Sequence, residues 1–294
     1  MEDDNPIFRF VAGAALTLAI LALFSGYLGW LHPLGDSLAV GRPFAVVAVL
    51  LLAVVASIAG LRLASFGAIL LAMITGLELF MAFNWPGPPG RLSLYQKNLR
   101  FDNAALTELE ADIRAVNPMM LTLQEVSEPN LTLLEALKDT LPYQHVCPGG
   151  TVGGTAVATR LTPVPGATLC APGLAAMQVR TDDADFWIVS VHLHWPWPYE
   201  QADQTRALLP VLAGLDGPVI MAGDFNMVRW ATSVRRLAAA ARVQPAGPTM
   251  GSYFGLTPWL SLPIDHVFSP SGGRVTPRQL LGSDHLGLVA GLEL

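Results

Sequence analysis

"PVIMAGDFN", residues 218–226, poses the problem of this chain in one short run. Val219 to Gly223 are apolar or small and read as a buried strand, yet the run stops on Asp224 and Asn226. An unpaired charge at the end of a buried strand is costly. A carboxylate there ordinarily caps a helix or holds a turn, and for any single position that reading suffices. The same arrangement recurs, however, with Asn98 after "LSLYQK", Glu125 after "MMLTLQ", and His192 and His194 in "VSVHLHW". Asp265 and His266 in "PIDHVF" and Asp284 and His285 in "GSDHLGL" extend the series. Capping is a poor account of so many strand ends that all offer carboxylate, carboxamide or imidazole. Oxygen donors from Asp, Glu and Asn suit a hard cation such as Mg²⁺. Imidazoles beside them suit proton transfer near neutral pH.

Around these ends the pattern alternates strands with helices. "RLSLYQKNL" and "MMLTLQEV" read as strands flanking a helix in "NAALTELEADIRAVN", with Asn103 as its N-cap. "DFWIVSVHLHW" is a strand, "YEQADQTRALLPVLAGL" and "TSVRRLAAAARV" are helices, and "IDHVF" and "HLGLVAGLEL" close the chain as strands. This is an α/β domain with its polar residues at strand ends, where such folds build sites.

The first third differs. The chain has 294 residues, 52% apolar and 14% charged, and its mean hydropathy is +0.46. Three apolar runs at 8–31, 43–61 and 63–85 each approach the ~20 residues that cross a bilayer as a helix. We therefore expect three spans in 1–86, a Pro/Gly linker at 87–92 and an extramembrane domain over 93–294. Trp30, Phe83 and Trp85 fit interfacial aromatics, and Glu78 fits an acid near the interface or paired between helices. Arg9 and Arg62 on one side oppose Arg42, Arg91 and Lys97 on the other, so charge alone does not orient the spans. Residues 91–294 hold 14 Lys and Arg against 18 Asp and Glu. That balance argues against a generic phosphate-backbone binder, though not against a nuclease that uses metal ions. Cys147 and Cys170 do not form a zinc pattern; they are two buried thiols, or a disulfide worth about 3 kcal/mol in the chain-entropy account.

The ordered motifs "QKNLR", "LQEV", "VSVHLH", "GDFNM", "IDHVF" and "GSDH" resemble those of the endonuclease/exonuclease/phosphatase superfamily. That superfamily includes deoxyribonuclease I, abasic-site exonucleases, neutral sphingomyelinases and inositol-polyphosphate phosphatases. The resemblance covers about 91–294 and implies a four-layer α/β sandwich, two packed mixed β-sheets flanked by helices, here preceded by about three transmembrane helices. It implies a membrane-anchored hydrolase that cleaves a phosphodiester or phosphomonoester by in-line water attack, using one or two Mg²⁺ or Mn²⁺ ions. Residue by residue, it places Asn98, Glu125 and Asp284 at the metal, with Glu125 the principal ligand. Asp224 would contact the attacking water, Asn226 would steady the phosphoryl oxygens, and His285 would stand beside the phosphate with Asp265 on its far nitrogen. His192 matches the mid-chain histidine, with His194 the second choice. Leu286-Gly287 stand where the family often has Arg-Pro.

A zinc hydrolase built on "HLH" would leave "GDFN" unexplained, and an inactive membrane-tethered binding module would be expected to have lost some of these positions. The expected partners are a phosphoester, as nucleic acid or lipid headgroup, and the bilayer; no protein partner is inferable. Membrane-anchored bacterial members share this layout, implying a multi-pass inner membrane protein. Cysteines confined to the extramembrane part favour an oxidising compartment, so we expect an extracytoplasmic domain with a Cys147–Cys170 bridge.

Overall fold

A computed structural model describes residues 5–257 and 259–294, so the first four residues of the expected anchor lie outside the described residues. The chain opens with α1 (Pro6–Ser25), which starts where Asn5 Oδ1 accepts from the amides of Ile7 and Phe8 at 3.1 and 3.2 Å. A short α2 (Leu34–Ala39) precedes α3 (Arg42–Ile58) and α4 (Arg62–Asn84). One stripe of α4, with Ser65, Ala68, Ala72, Thr75, Leu79 and Ala82, is buried against the other helices. Small residues at such spacing let helix backbones approach closely. The outward faces carry exposed Leu18, Leu21, Phe44, Leu51, Phe66 and Leu77. Three spans were expected, but among the described residues only α1, with 20 residues, and α4, with 23, have spanning length; α3 has 17. Gly41 and Pro43 at one end of α3 and Gly60, at φ +82°, at the other hold it to that length.

The remaining elements are β1 (Leu92–Asn98), α5 (Leu106–Val116), β2 (Met120–Val126), α6 (Leu131–Ala136), β3 (Tyr143–Gly150), β4 (Gly153–Thr159), β5 (Thr162–Ala171) and β6 (Leu174–Arg180). They continue with β7 (Asp185–His192), α7 (Gln201–Ala213), β8 (Val219–Asp224), α8 (Thr232–Ala240), β9 (Gln244–Pro245), β10 (Tyr253–Thr257), β11 (Leu260–Leu262), β12 (Asp265–Ser269), β13 (Gly273–Pro277) and β14 (Leu288–Leu292). Sheet I runs β13-β14-β1-β2-β4-β3 and sheet II runs β5-β6-β7-β8-β12-β9, each with one parallel pair at its centre, β1·β2 and β7·β8. Strand alternation then sorts the side chains. Leu94, Met120, Ile188, Ile220 and Val267 face the opposite sheet. Leu121 and Leu123 meet Leu109 and Ile113 of α5, while Val189 and Met221 meet Leu208 and Leu237 of α7 and α8. The result is a sandwich of two mixed sheets flanked by helices. Asn103 does not cap α5 directly: Ala105 holds that position, and Asn103 Oδ1 accepts from its amide at 2.7 Å.

The helical segment docks on the sandwich. Asp36 accepts from Thr232 N at 2.7 Å and Ser233 N at 2.9 Å, satisfying the first amides of α8 from a distant part of the chain. Trp230 Nε1 donates to Ala39 O at 2.9 Å, and Thr249 N to Ala82 O at 2.9 Å. The Pro/Gly linker lies against sheet I, and a side chain at Gly90 would collide with the Leu292 backbone. Asp36→Ala is expected to cost about 1 kcal/mol, as loss of a helix cap does, and to lower the melting temperature of the full-length protein by a few degrees.

Candidate active site

The two central parallel pairs bring four strand ends together. β1 ends on Asn98 and β2 carries Glu125 one residue before its end in sheet I; β7 ends on His192 and β8 on Asp224 in sheet II. In the register of sheet II, His192 lies opposite Asp224 and Asp224 opposite Asp265, so the three stand abreast on one face. Glu125 is set by a break in the β2·β4 ladder between Gln124 and Val126 and has φ +55°. Such bulges bend a strand and re-aim a side chain. Asn226, at φ +47°, turns back so that its amide N donates to Asp224 Oδ1 at 2.8 Å and its Nδ2 to Leu193 O at 2.8 Å. His285 arrives on the loop before β14. Ser283 Oγ donates to Asn98 O at 2.8 Å and accepts from His285 N at 3.0 Å.

His285 Nδ1 and Asp265 Oδ2 are 2.8 Å apart, and His285 Nε2 is 3.6 Å from Asp224 Oδ2. Burial works against the charged imidazole of His285, but Asp265 and Asp224 outweigh it and lift its pKa to about 9. His192, whose Nε2 is 3.7 Å from Asp224 Oδ2, is pulled down to about 4 by burial and by the charge of His285. One imidazole is therefore held as a cation and its neighbour as a neutral base. Burial raises the Asp224 carboxyl, with His285 opposing and Asp265 reinforcing. Burial also raises Glu125.

A cavity of about 550 Å³ is lined by Glu125, His192, Asp224, Asn226, Asp284 and His285 among others. Asp265 lies behind His285, and Asn98 lies behind the carboxylates. The Asn98 Nδ2 donates to Asp224 Oδ2 at 3.0 Å and Glu125 Oε1 at 3.2 Å, while its Oδ1 accepts from Arg100 N at 2.9 Å. In this arrangement Asn98 bridges two carboxylates as a donor, with its oxygen turned to the backbone. His194 sits at the exposed rim, with Nδ1 3.6 Å from Glu200. His266 is buried with Nε2 2.8 Å from Met227 O and does not line the cavity. Cys147 and Cys170 are disulfide-bonded, with Cα atoms 5.5 Å apart. They join the edge strands of the two sheets, β3 and β5.

The donor set fits a hard cation. Glu125, Asp224, Asp284 and Glu200 all line the cavity, and its one Lys or Arg among the described residues, Arg100, is 2.7 Å from Asp102. The buried group Asp224, Asp265 and His285 also offers ligand atoms within 4.8 Å of one another. Glu125 and Asp284 line the cavity beside that group, with Glu125 Oε1 accepting from Asn98 Nδ2 at 3.2 Å and Oε2 from Phe101 N at 2.9 Å.

Several contributors escaped the sequence reading. Lys97 is fully buried, and its Nζ donates to His285 O at 2.5 Å, Leu280 O at 2.6 Å and Gln279 O at 3.4 Å, gathering the loop that carries Asp284 and His285. Gln96 Nε2 donates to Gln124 Oε1 at 2.8 Å and Asp265 Oδ1 at 3.0 Å, and Gln124 Nε2 donates to Ser190 Oγ at 3.0 Å. The available signal was polar residues on the inward face of apolar strands, at Gln96 in "LYQKN" and Gln124 in "LTLQ". Tyr253 of β10, whose ring centroid is 4.8 Å from that of His285, had no signal.

Residues 95–285 match the Endonuclease/Exonuclease/phosphatase family, and the chain belongs to it. Among curated protein sequences, none matches this chain. A family protein from Leptotrichia buccalis is similar at 14% identity, with a TM-score of 0.53, over 69% of this chain and 100% of its own. D. rerio TDP2 complexed with a single-strand DNA product is similar at 18% identity and TM-score 0.54, over 68% and 97%. A Staphylococcus aureus beta toxin mutant with bound magnesium ions is similar at 10% identity and TM-score 0.50, over 69% and 99%. At such identities the likeness bears on the fold.

Two substitutions probe the supporting groups. Asp265→Asn is expected to lower kcat about 10²-fold or more, because it removes the charge that orients and holds the His285 imidazolium. Lys97→Met is expected to lower kcat about 10-fold or more with the fold intact by circular dichroism, because the 279–285 loop loses its anchor.

Proposed function

We propose that this chain is a membrane-anchored, Mg²⁺-dependent phosphodiesterase that acts on a lipid headgroup diester by in-line attack of water. The observation that carries the reading is the placement of His285, held by Asp265, and of His192 within 3.6 and 3.7 Å of the same Asp224 oxygen in one acid-lined cavity. A divalent cation held by Glu125 and Asp284, with Asn98 behind them, would supply the positive charge that a phosphoryl group needs as charge builds on its oxygens. Asp224 accepts a hydrogen bond from the attacking water and aims it. The Asn226 amide and the His285 Nε2–H donate to the phosphoryl oxygens, where charge grows. His192 accepts or returns a proton at the cavity wall.

Three features support lipid over nucleic acid. The cavity offers a polyanion no unpaired Lys or Arg among the described residues. Its rim carries Phe101, Trp195, Tyr199 and Tyr253. The rim loop is tied to the helical segment, since Ser37 Oγ donates to Trp197 O at 2.9 Å and His32 packs edge-on against Trp197 at 6.0 Å. The helices themselves, with exposed Leu, Phe and Ile on their outward faces, suit a bilayer better than water. α1 and α4 then cross as spans, with α3 as a short third, and residues 93–294 stand on the side opposite the N-terminus. A Cys147–Cys170 bridge suits an extracytoplasmic side.

The test is a panel of sphingomyelin, phosphatidylcholine, single-stranded DNA and bis(p-nitrophenyl) phosphate, with Mg²⁺ or with EDTA. Hydrolysis of a lipid diester that EDTA abolishes, and that Glu125→Gln lowers at least about 10²-fold, is expected. Faster cleavage of DNA than of any lipid would establish the nuclease reading instead. Metal-independent turnover, or none of any substrate, would overturn the mechanism.

A further inference from the structure

A second cleft, of about 570 Å³, lies where α4 meets the catalytic domain and shares no lining residue with the active-site cavity. Leu79, Met81 and Trp85 line it from α4 and its end, together with Trp230, Arg229 and, from α8, Arg235. Trp230 is held in place through its indole bond to Ala39 O and its edge-on contact with Phe83, ring centroids 5.5 Å apart.

The charge of the cleft is unanswered. Among the described residues, neither guanidinium has an ion pair or a side-chain hydrogen bond, and burial alone pulls Arg229 down to about 10. Glu78, the acid of the lining, is already engaged: its Oε2 accepts from Tyr27 OH at 3.1 Å and lies 3.8 Å from Arg42 Nη1. Arg42 is itself 2% exposed, lies over the Tyr27 ring, and leaves Nε and Nη1 without hydrogen-bond partners. Among its described lining residues the cleft thus sets Arg229 and Arg235 against one acid, Glu78, in mostly apolar surroundings.

We propose that this cleft binds the phosphate of an anionic glycerophospholipid, with the acyl chains lying along α4. Guanidinium matches phosphate oxygens in a bidentate fork, and a desolvated guanidinium without a partner gains most from such a ligand. Basic pockets where helices leave a bilayer are suited to anionic headgroups. Leu77, Phe80 and Met81 of α4 are exposed alongside the cleft and provide the surface for the chains. The assignment rests on the reading of α1, α3 and α4 as a bilayer anchor. It differs from the catalytic reading, because the bound lipid here is a structural ligand and no bond in it is broken.

The test uses the full-length protein in detergent micelles with EDTA present, so that hydrolysis does not consume lipid. Native mass spectrometry and thermal unfolding are read with phosphatidylglycerol, phosphatidylcholine and inorganic phosphate. Phosphatidylglycerol is expected to remain bound and to raise the melting temperature, with about 10-fold or greater preference over phosphatidylcholine. Arg235→Gln should weaken that binding about 10-fold, and Arg229→Gln with Arg235→Gln should abolish it. Both variants should keep hydrolysis of bis(p-nitrophenyl) phosphate once Mg²⁺ is restored, which reports an intact fold. Equal retention of the two lipids, unchanged phosphatidylglycerol binding in the variants, or an equal shift with inorganic phosphate would overturn the proposal. If the double variant does not fold, Arg235→Gln decides, because Arg235 is exposed on α8. Alkaline extraction of native membranes tests the anchor separately: release of the protein would remove the anchor, while the micelle measurement would still judge the cleft.

Discussion

Asp265 is a fully buried carboxylate at the meeting of two sheets, and the architecture around it is what makes that tolerable. Gln96 reaches it from sheet I, His285 from the loop before β14, and its own amide N donates to Ser252 Oγ at 3.1 Å. Removing Gln96 or His285 would leave a buried charge short of a partner. The same group keeps His285 protonated and aimed at the cavity. The stability of the sheet interface and the chemistry at the cavity floor therefore share one carboxylate.

From that constraint follows the way the site is assembled. Neither sheet contains it: sheet I brings Asn98 and Glu125, sheet II brings His192, Asp224 and Asp265, and a loop held by buried Lys97 closes it with Asp284 and His285. The polar chain Gln96–Gln124–Ser190 crosses the interface beneath it, so a shift of one sheet on the other would be felt at once by the catalytic groups. Hydrogen bonds of this kind have directions that apolar contacts lack, and they specify how the two sheets sit.

The helical segment obeys a different constraint. Asp36 completes the N-terminus of α8, Trp230 and Phe83 pack at the seam, and Ser37 holds the rim loop through Trp197 O. These contacts fix the height and orientation of the cavity relative to the helices.

Much of this was legible in the chain. Apolar runs that stop at Asp224, Glu125 and His192 identify strand ends with chemistry, because capping and turn formation do not account for so many ionisable strand ends in one domain. The three apolar segments and the helices of α5, α7 and α8 are equally plain from periodicity. Strands β5, β9, β10, β11 and β13 were not, since edge strands owe their conformation to a neighbour and β5 contains Pro163 and Pro165. Nor did sequence separate His192 from His194, or place the oxygen of Asn98, or find Lys97. Which residue types the site uses is written locally, in the alternation and termination of short segments. Their partners are set by sheet order and register, which bring Asp224 beside Asp265 and Gln96 beside Gln124 across long stretches of chain. Only closing those distances in space decides which ionisable group is buried, which is paired and which is left to meet a substrate.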